Sequence, residues 1–322
     1  MSNSKKFIVS HAPYWHNGSS VCSRNFHMIF AALPAVIVGI YFFRMPALRV
    51  ILLSMGSAML WELLFTHLSK LRMTIDDGNA ALIGLLFGMM IPATCPWWFV
   101  IIGTFLAVII GKSIYGGIGA NPFHPTLIAI AILMLSWPDM LDYYGALVNY
   151  TLPFPMTYPL ETLKYFGTEA IKTYSLMDLF IGKQVGGIGS TCGLALCLGG
   201  VYLILRGFIR WEISISYIVG ILITSHLFSL SDPIKYAGPM FHLLTGYTLI
   251  GAFFIATEDS SSPVNFIPML IYGAGAGFLT ILIRNIGAYA DGVVFAILLM
   301  NLANPIIDRI RPKAIGKGVC HA

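Results

Sequence analysis

Asp77-Gly-Asn-Ala-Ala-Leu-Ile-Gly-Leu-Leu-Phe87 and Leu244-Thr-Gly-Tyr-Thr-Leu-Ile-Gly-Ala-Phe-Phe254 share one pattern, and their spacing decides the fold. Each opens on a polar turn with a glycine, enters an apolar run, and stops at a proline-bounded break. A second apolar run follows, and then a link of small residues. That link is Tyr115-Gly-Gly-Ile-Gly-Ala-Asn-Pro122 in the first copy and Asn285-Ile-Gly-Ala-Tyr-Ala-Asp-Gly292 in the second. The copies lie five hydrophobic segments apart. An odd offset makes them cross a membrane in opposite directions, and inverted repeats of this kind frame a site between them.

The rest of the chain is built for a bilayer. Of its 322 residues, 57% are hydrophobic and 10% charged, with a mean hydropathy of +0.80. Soluble domains carry roughly 25% charged residues, so the sequence reads as an integral membrane protein. A straight helical crossing needs about 20 apolar residues. Ten runs approach that length: 26–43, 47–66, 79–92, 96–111, 124–138, 188–206, 211–229, 240–257, 265–283 and 290–308. They are continuous rather than alternating, which points to helices and not to barrel strands. The run 79–92 is too short to cross straight and reads as a half-helix or a re-entrant piece packed inside protein.

The expectation is an all-α membrane protein of ten transmembrane helices in two inverted five-helix repeats, 26–138 and 188–308. An N-terminal arm (1–25), a long loop (139–187) and a tail (309–322) complete it. The arm lacks the apolar core of a cleavable signal and reads as mature chain. Twelve of the 19 Lys and Arg residues fall on one side, among them Lys5, Lys6, Arg24, Lys70, Lys112, Arg206 and the tail. By the positive-inside rule that side is cytoplasmic, with both termini in it and the loop 139–187 outside. The net charge of +5 therefore reflects orientation. The basic residues are dispersed over helix ends and carry no groove-reading motif, which excludes nucleic acid as a partner. Five cysteines, none in Cys-x-x-Cys spacing, do not make a metal or iron–sulfur site from this chain alone.

The repeat sorts polar residues onto two faces. The outer face receives His242, Thr245, Gly246, Arg284, Tyr289 and Asp291. The inner face receives Asp77, Gly78, Asn79, Lys112 and Asn121, with Glu258 and Asp259. Ionisable groups at membrane depth are costly and mark functional sites by default. Glycines 116, 117, 119 and 287 allow close backbone approach to a planar ring or phosphate. Capping and helix packing are the competing uses for any single one of these residues. His124, flanked by prolines, reads as a structural hydrogen-bonder, and Asn301 and Asn304 as interhelical contacts.

Gly111-Lys-Ser-Ile-Tyr-Gly-Gly-Ile-Gly-Ala-Asn-Pro-Phe-His-Pro125 resembles the Gly-Lys-x-x-Tyr-Gly-Gly-x-Gly-x-Asn-Pro-Phe-Asn-Pro signature of the D-type subunit of Rnf electron-transport complexes, with His124 in place of Asn. That family is related to the B-type subunit of the sodium-pumping NADH:quinone oxidoreductase. Ala12-Pro-Tyr with Ser23-Arg24, Asp77 through Trp98, His242 through Thr257, and Asp291 through Asn301 carry the same resemblance. It implies a membrane subunit that relays electrons between ferredoxin and NAD within a complex, coupled to Na+ or H+ movement. The implied partners are a flavin-bearing periplasmic-side subunit, membrane iron–sulfur subunits and soluble NADH- and ferredoxin-side subunits, in the inner (cytoplasmic) membrane of a prokaryote with its lipid.

The resemblance also implies a covalent FMN, joined through its phosphate to a loop threonine, and a riboflavin in the membrane region. The family's attachment pattern is roughly Ser-x-Ala-Thr-Pro-Leu. Here the matching stretch is Pro155-Met-Thr-Tyr-Pro-Leu-Glu-Thr-Leu-Lys164, in which Tyr158 takes the slot before proline and Thr157 stands one residue early. Thr157 is the expected acceptor, with the ring against Thr245, Arg284 and Asp291. Asp77, Asn79, Lys112 and Asn121 form the inner cofactor cluster. Lys164, Lys172 and Lys183 are available to a phosphate. Thr191, in Gly187-Ile-Gly-Ser-Thr-Cys-Gly193, is a competing acceptor, although that stretch reads more simply as a helix start capped by Ser190. Two other readings stay open: a secondary transporter built on inverted repeats, and a scaffold subunit that has lost its flavin.

Overall fold

The computed structural model describes residues 20–71, 74–141 and 154–310. The Ala12-Pro-Tyr motif, most of the N-terminal arm, Cys320 and the basic residues 72, 311, 313 and 317 lie outside them, as do loop residues 142–153. The described residues are helical, with no strand among them.

Helix α1 (Val21–Leu68) starts where Ser20 Oγ accepts the Ser23 N–H at 3.1 Å. It is broken at Arg44, whose φ of 56° and ψ of −144° leave the helical region. Pro46 follows, and a proline lacks the N–H needed to continue the ladder there. The arms on either side correspond to the runs 26–43 and 47–66. After a left-handed Gly78 comes α2 (Asn79–Met90), buried on every side from Ala80 to Met90. At about 1.5 Å per residue, twelve residues fall short of a hydrocarbon core of about 30 Å. This is the short piece packed inside protein that its length predicts.

Helix α3 (Trp97–Phe105) runs into a π-helical turn, Leu106–Ile110. Helix α4 (Pro125–Ser136) has proline in its first turn, where the missing donor costs nothing. The described part of the loop that follows holds α5 (Pro159–Phe166), α6 (Thr168–Ile171) and α7 (Leu176–Ile181). Helix α8 (Gly193–Leu205) has Cys192 at its N-cap, two residues after the expected cap; Ser190 Oγ instead donates to Gly187 O at 3.2 Å. Then come α9 (Trp211–Ser231), α10 (Pro239–Leu244), α11 (Thr248–Ile250, continued by a π turn Gly251–Ile255), α12 (Phe266–Ile286) and α13 (Val293–Ile307). By length and composition, α1, Trp97–Tyr115, α9 and α12 can each cross a membrane, whereas α2, α4, α8 and α13 are shorter apolar helices.

The run 240–257, continuous in sequence, is interrupted between α10 and α11. Gly246 adopts φ 68° there, a left-handed conformation that glycine reaches without a Cβ clash. The break is what exposes backbone donors and acceptors to the outer cluster.

Small residues let the helices close up. A Cβ added at Gly220 would stand 2.6 Å from Ala274 O, and one at Gly277 would stand 2.4 Å from Tyr217 O, so α9 and α12 touch backbone to backbone. Gly84 and Gly88 bring α2 equally close to Ser54 of α1. The two stretches that share the sequence pattern touch at two points. Tyr247, at the start of α11, donates its hydroxyl to Met90 O at the end of α2 (2.5 Å). Glu258, beyond the end of α11, accepts from Asn121 of the first copy (3.0 Å).

Candidate functional site

The outer cluster is built on the break between α10 and α11. Arg284, near the end of α12, reaches into it and is only 4% exposed. Its Nη1 donates to His242 O (2.8 Å), and its Nη2 to Thr248 Oγ1 (2.8 Å) and Thr245 O (3.2 Å). Asp291, 5% exposed, accepts from Arg284 Nη2 (2.9 Å) and Nε (3.2 Å), and from the N–H groups of Tyr247 (2.7 Å) and Val293 (3.2 Å). The pair thus saturates the backbone left open by the break. A buried charge pair is tolerated where hydrogen bonds fill its remaining valences.

Thr245 is fully buried and Arg284 is spent on this network; of the three residues expected against a ring, Asp291 is the one that lines the adjoining cavity. That cavity, about 280 Å³, also takes in Tyr247, whose N–H bonds Asp291, and Tyr289. Its walls are Tyr158, Tyr165, Tyr247, Tyr289 and Glu161 on the loop side and Met134, Pro138 and Leu141 at the end of α4. Burial in this wall pushes the Tyr158 phenol well above its ordinary range, so it stays a neutral phenol. Thr157, the residue before it, is exposed, and its hydroxyl pairs with that of Tyr174.

The inner cluster forms where the first copy meets the end of α11. Asn79, Lys112, Asn121, His124, Phe254 and Glu258 face a cavity of about 190 Å³. Asn121 Nδ2 donates to Glu258 Oε1 and to Phe123 O, both at 3.0 Å, and Ser261 Oγ donates to Glu258 Oε2 at 2.8 Å. Lys112 is held from behind by Glu62, at 2.6 Å from Oε1, which also accepts from Thr74 Oγ1 at 2.8 Å. Both ions of that pair are buried. Arg24 reaches Asp259 at 2.5 Å beside the same cavity. Asp77 does not line it. It caps the start of α2 instead, accepting the Asn79 N–H at 2.8 Å, while its carbonyl takes Asn25 Nδ2 at 2.9 Å.

Asn79, Lys112 and Asn121, grouped on the inner face in the sequence reading, line this one cavity, and Glu62 was passed over. A lone carboxylate inside the apolar run 47–66 was the available signal. Asn301 makes the expected interhelical contact, with Tyr272 OH of α12 at 2.5 Å, whereas Asn304 donates to Ser261 O in the turn before α12 at 3.0 Å.

With both clusters in place, the likeness to known proteins is decisive. A profile described as the NQR2, RnfD, RnfE family matches residues 8–316. The chain belongs to that family. The D-type subunit of the ion-translocating oxidoreductase complex of Cronobacter sakazakii is 34% identical over 346 residues, covering 96% of this chain and 99% of that protein. The same subunit of Pectobacterium carotovorum subsp. carotovorum is 32% identical over 347 residues (96% and 99%), and that of Escherichia coli K12 is 33% identical over 346 (96% and 98%).

Within this NQR2, RnfD, RnfE member, the loop lysines already have partners. Lys164 Nζ donates to Gly287 O (2.6 Å) and Tyr289 O (2.9 Å), tying α5 to the link before α13, and its partial burial lowers its pKa. Lys172 pairs with Glu169 at 2.7 Å, and Lys183 with Asp178 at 2.8 Å. Thr191 is 2% exposed, so an external transferase would not reach its hydroxyl.

Proposed function

We propose that this chain is the flavin-bearing membrane subunit of an ion-translocating ferredoxin:NAD oxidoreductase complex, relaying electrons between partner subunits and coupling the transfer to Na+ or H+ movement. The observation that carries the reading is Thr157. Its hydroxyl stands exposed on the turn that delivers Tyr158 into a tyrosine-lined cavity. Covalent attachment needs a hydroxyl presented to a transferase, and a planar ring needs an apolar, aromatic-walled space beside it. The residues present fit both needs, with Tyr158, Tyr247 and Tyr289 as walls and Asp291 as the polar edge. FMN bound there supplies one- and two-electron chemistry, while the protein sets orientation, distance and electrostatics. The inner cavity offers Asn79, Lys112 and Asn121 to a second, non-covalent flavin, riboflavin. Lys112 brings positive charge and the two asparagines bring hydrogen bonds in both directions.

The near-full-length likeness to D-type subunits of ion-translocating oxidoreductase complexes supports the partner assignment. The partners are a periplasmic-side flavin subunit, membrane iron–sulfur subunits and soluble NADH- and ferredoxin-side subunits. The contacts Tyr247–Met90 and Glu258–Asn121 favour the reading of ten spans as two inverted repeats, because they bring the two copies together at both ends of the second copy's first run. In that topology both termini are cytoplasmic and the Thr157 loop lies outside the inner membrane.

The test is in-gel fluorescence of the denatured chain under ultraviolet light, since only covalent flavin survives denaturation. The wild type should fluoresce and Thr157→Ala should not, while retaining its thermal unfolding profile. Fluorescence retained by Thr157→Ala would move the attachment point. A dark wild type would leave the scaffold reading, with Tyr158 marking a lost site.

A further inference from the structure

Outside both clusters, a narrow cleft of about 40 Å³ lies beneath α5, between α10 and α12. Two of its wall residues carry buried polar atoms with no hydrogen-bond partner among the described residues. These are both ring nitrogens of His242, a fully buried residue, and the Asn285 side-chain nitrogen. Lys164, Lys235, Tyr236 and Arg284 complete the polar wall, and among the described residues no carboxylate lines the cleft. Asp291 lies behind Arg284 and is consumed by it and by two backbone N–H groups. Glu161 sits on α5 one turn before Lys164 and lines the neighbouring cavity instead.

We propose that this cleft is a binding site for one small monovalent inorganic anion, of which chloride is the natural candidate. Imidazole presents at least one N–H in every protonation state, the Asn285 nitrogen is donor-only, and Lys and Arg accept nothing. The wall therefore supplies donors from six side chains, three of them cationic, against the acceptors of one His242 nitrogen, the Tyr236 hydroxyl and the Asn285 amide oxygen. Donors and positive charge outweigh acceptors in this wall, and an anion accepts from every side. Three cationic side chains, one of them already neutralised by Asp291, set the sign. The space admits about one to three water-sized positions. That suits a single halide and excludes a flavin or a lipid headgroup. An anion held here would draw Lys164 of α5 and Lys235 toward α10 and α12, fixing the segment that begins one residue after Tyr158.

The experiment is thermal unfolding of the purified full chain in detergent, with sodium chloride titrated against sodium gluconate at constant ionic strength and sodium bromide as a second halide. The unfolding temperature should rise saturably with chloride and bromide and stay level with gluconate. Lys235→Gln and Asn285→Leu should each weaken the response roughly tenfold, the loss expected for one charge-assisted or otherwise unsatisfied hydrogen bond. Lys235 is exposed, so its variant tests the site without risk to folding. Equal unfolding temperatures in chloride and gluconate would overturn the proposal. So would an undiminished halide response in both variants, which would assign the effect to non-specific salt or to another site.

Discussion

Asp291→Ala should be among the most damaging single changes in this chain, and the structure says by how much. The carboxylate accepts four hydrogen bonds: two from Arg284, one from the Tyr247 N–H and one from the Val293 N–H. Its removal leaves a guanidinium 4% exposed with no counter-ion and strips two backbone donors of their partners. Removing one member of a buried pair costs about 3–5 kcal/mol, because the surviving charge stays desolvated. A domain's whole stability is about 5–15 kcal/mol, so the variant should be poorly folded. Asp291→Asn keeps one acceptor oxygen and should fall between it and wild type. The double variant Arg284→Met with Asp291→Leu removes both charges and should be more stable than Asp291→Ala alone. Unfolding in mixed micelles with increasing dodecyl sulfate, followed by near-ultraviolet circular dichroism, gives the ordering. An Asp291→Ala chain within about 1 kcal/mol of wild type would refute the account of Asp291 as the tie across the broken helix. A double variant no better than the single would refute the desolvated-charge account of its cost.

Glycine substitutions separate space from strain. A Cβ at Gly246 would lie 2.3 Å from Asp291 Oδ2 at a φ of 68°, whereas one at Gly117 meets nothing within 4 Å at a φ of 100°. Gly117→Ala should therefore cost only the left-handed strain, about 1 kcal/mol, and Gly246→Ala clearly more; equal losses in the same unfolding assay would contradict the packing at the break. The carboxyl of Asp77 titrates above its usual range, first because burial disfavours its charge, with the Asn79 N–H and Lys112 opposing. A raised folded-state pKa means that the folded chain holds this proton longer than the unfolded chain, so stability from this group is lost as pH rises through and above the carboxylate range. Asp77→Asn should accordingly gain stability over wild type at pH 7 and lose that advantage below about pH 4; an advantage that does not change with pH would show that burial of the charge is not its cause. Reporter fusions after Gly167 and after Ile310 should give opposite compartment signals, and matching signals would rule out the ten-span topology.

The helices were legible because each rests on a local property of the chain. Apolar runs, Pro46, Pro96 and Pro125 punctuate the sequence where the structure turns, and α2 is as short as its run. The interruption at Gly246 was half legible. A glycine in a polar turn marks a break, but what stabilises the break is Asp291, 45 residues later, and no window of sequence reports that contact. Glu62 shows the same limit. In the sequence it is a single carboxylate in a run of leucines, and only the fold places Lys112, 50 residues on, 2.6 Å from it. Sequence could also say that polar residues collect on two faces but not which of them look into a cavity. Arg284 and Thr245 belong to the closed network, whereas Tyr158, read first as an obstacle to flavin attachment, forms part of the cavity wall. The tyrosine that displaces the expected threonine thus explains its own departure. Its ring occupies the wall, and the hydroxyl one residue earlier is what the exposed turn presents. If FMN is attached at Thr157 as proposed, Tyr158→Ala should leave that attachment intact while releasing the ring, so that the in-gel signal of the denatured chain persists and the native flavin absorption shifts toward that of free FMN in water. Loss of the in-gel signal in Tyr158→Ala would instead make Tyr158 part of the recognition for attachment.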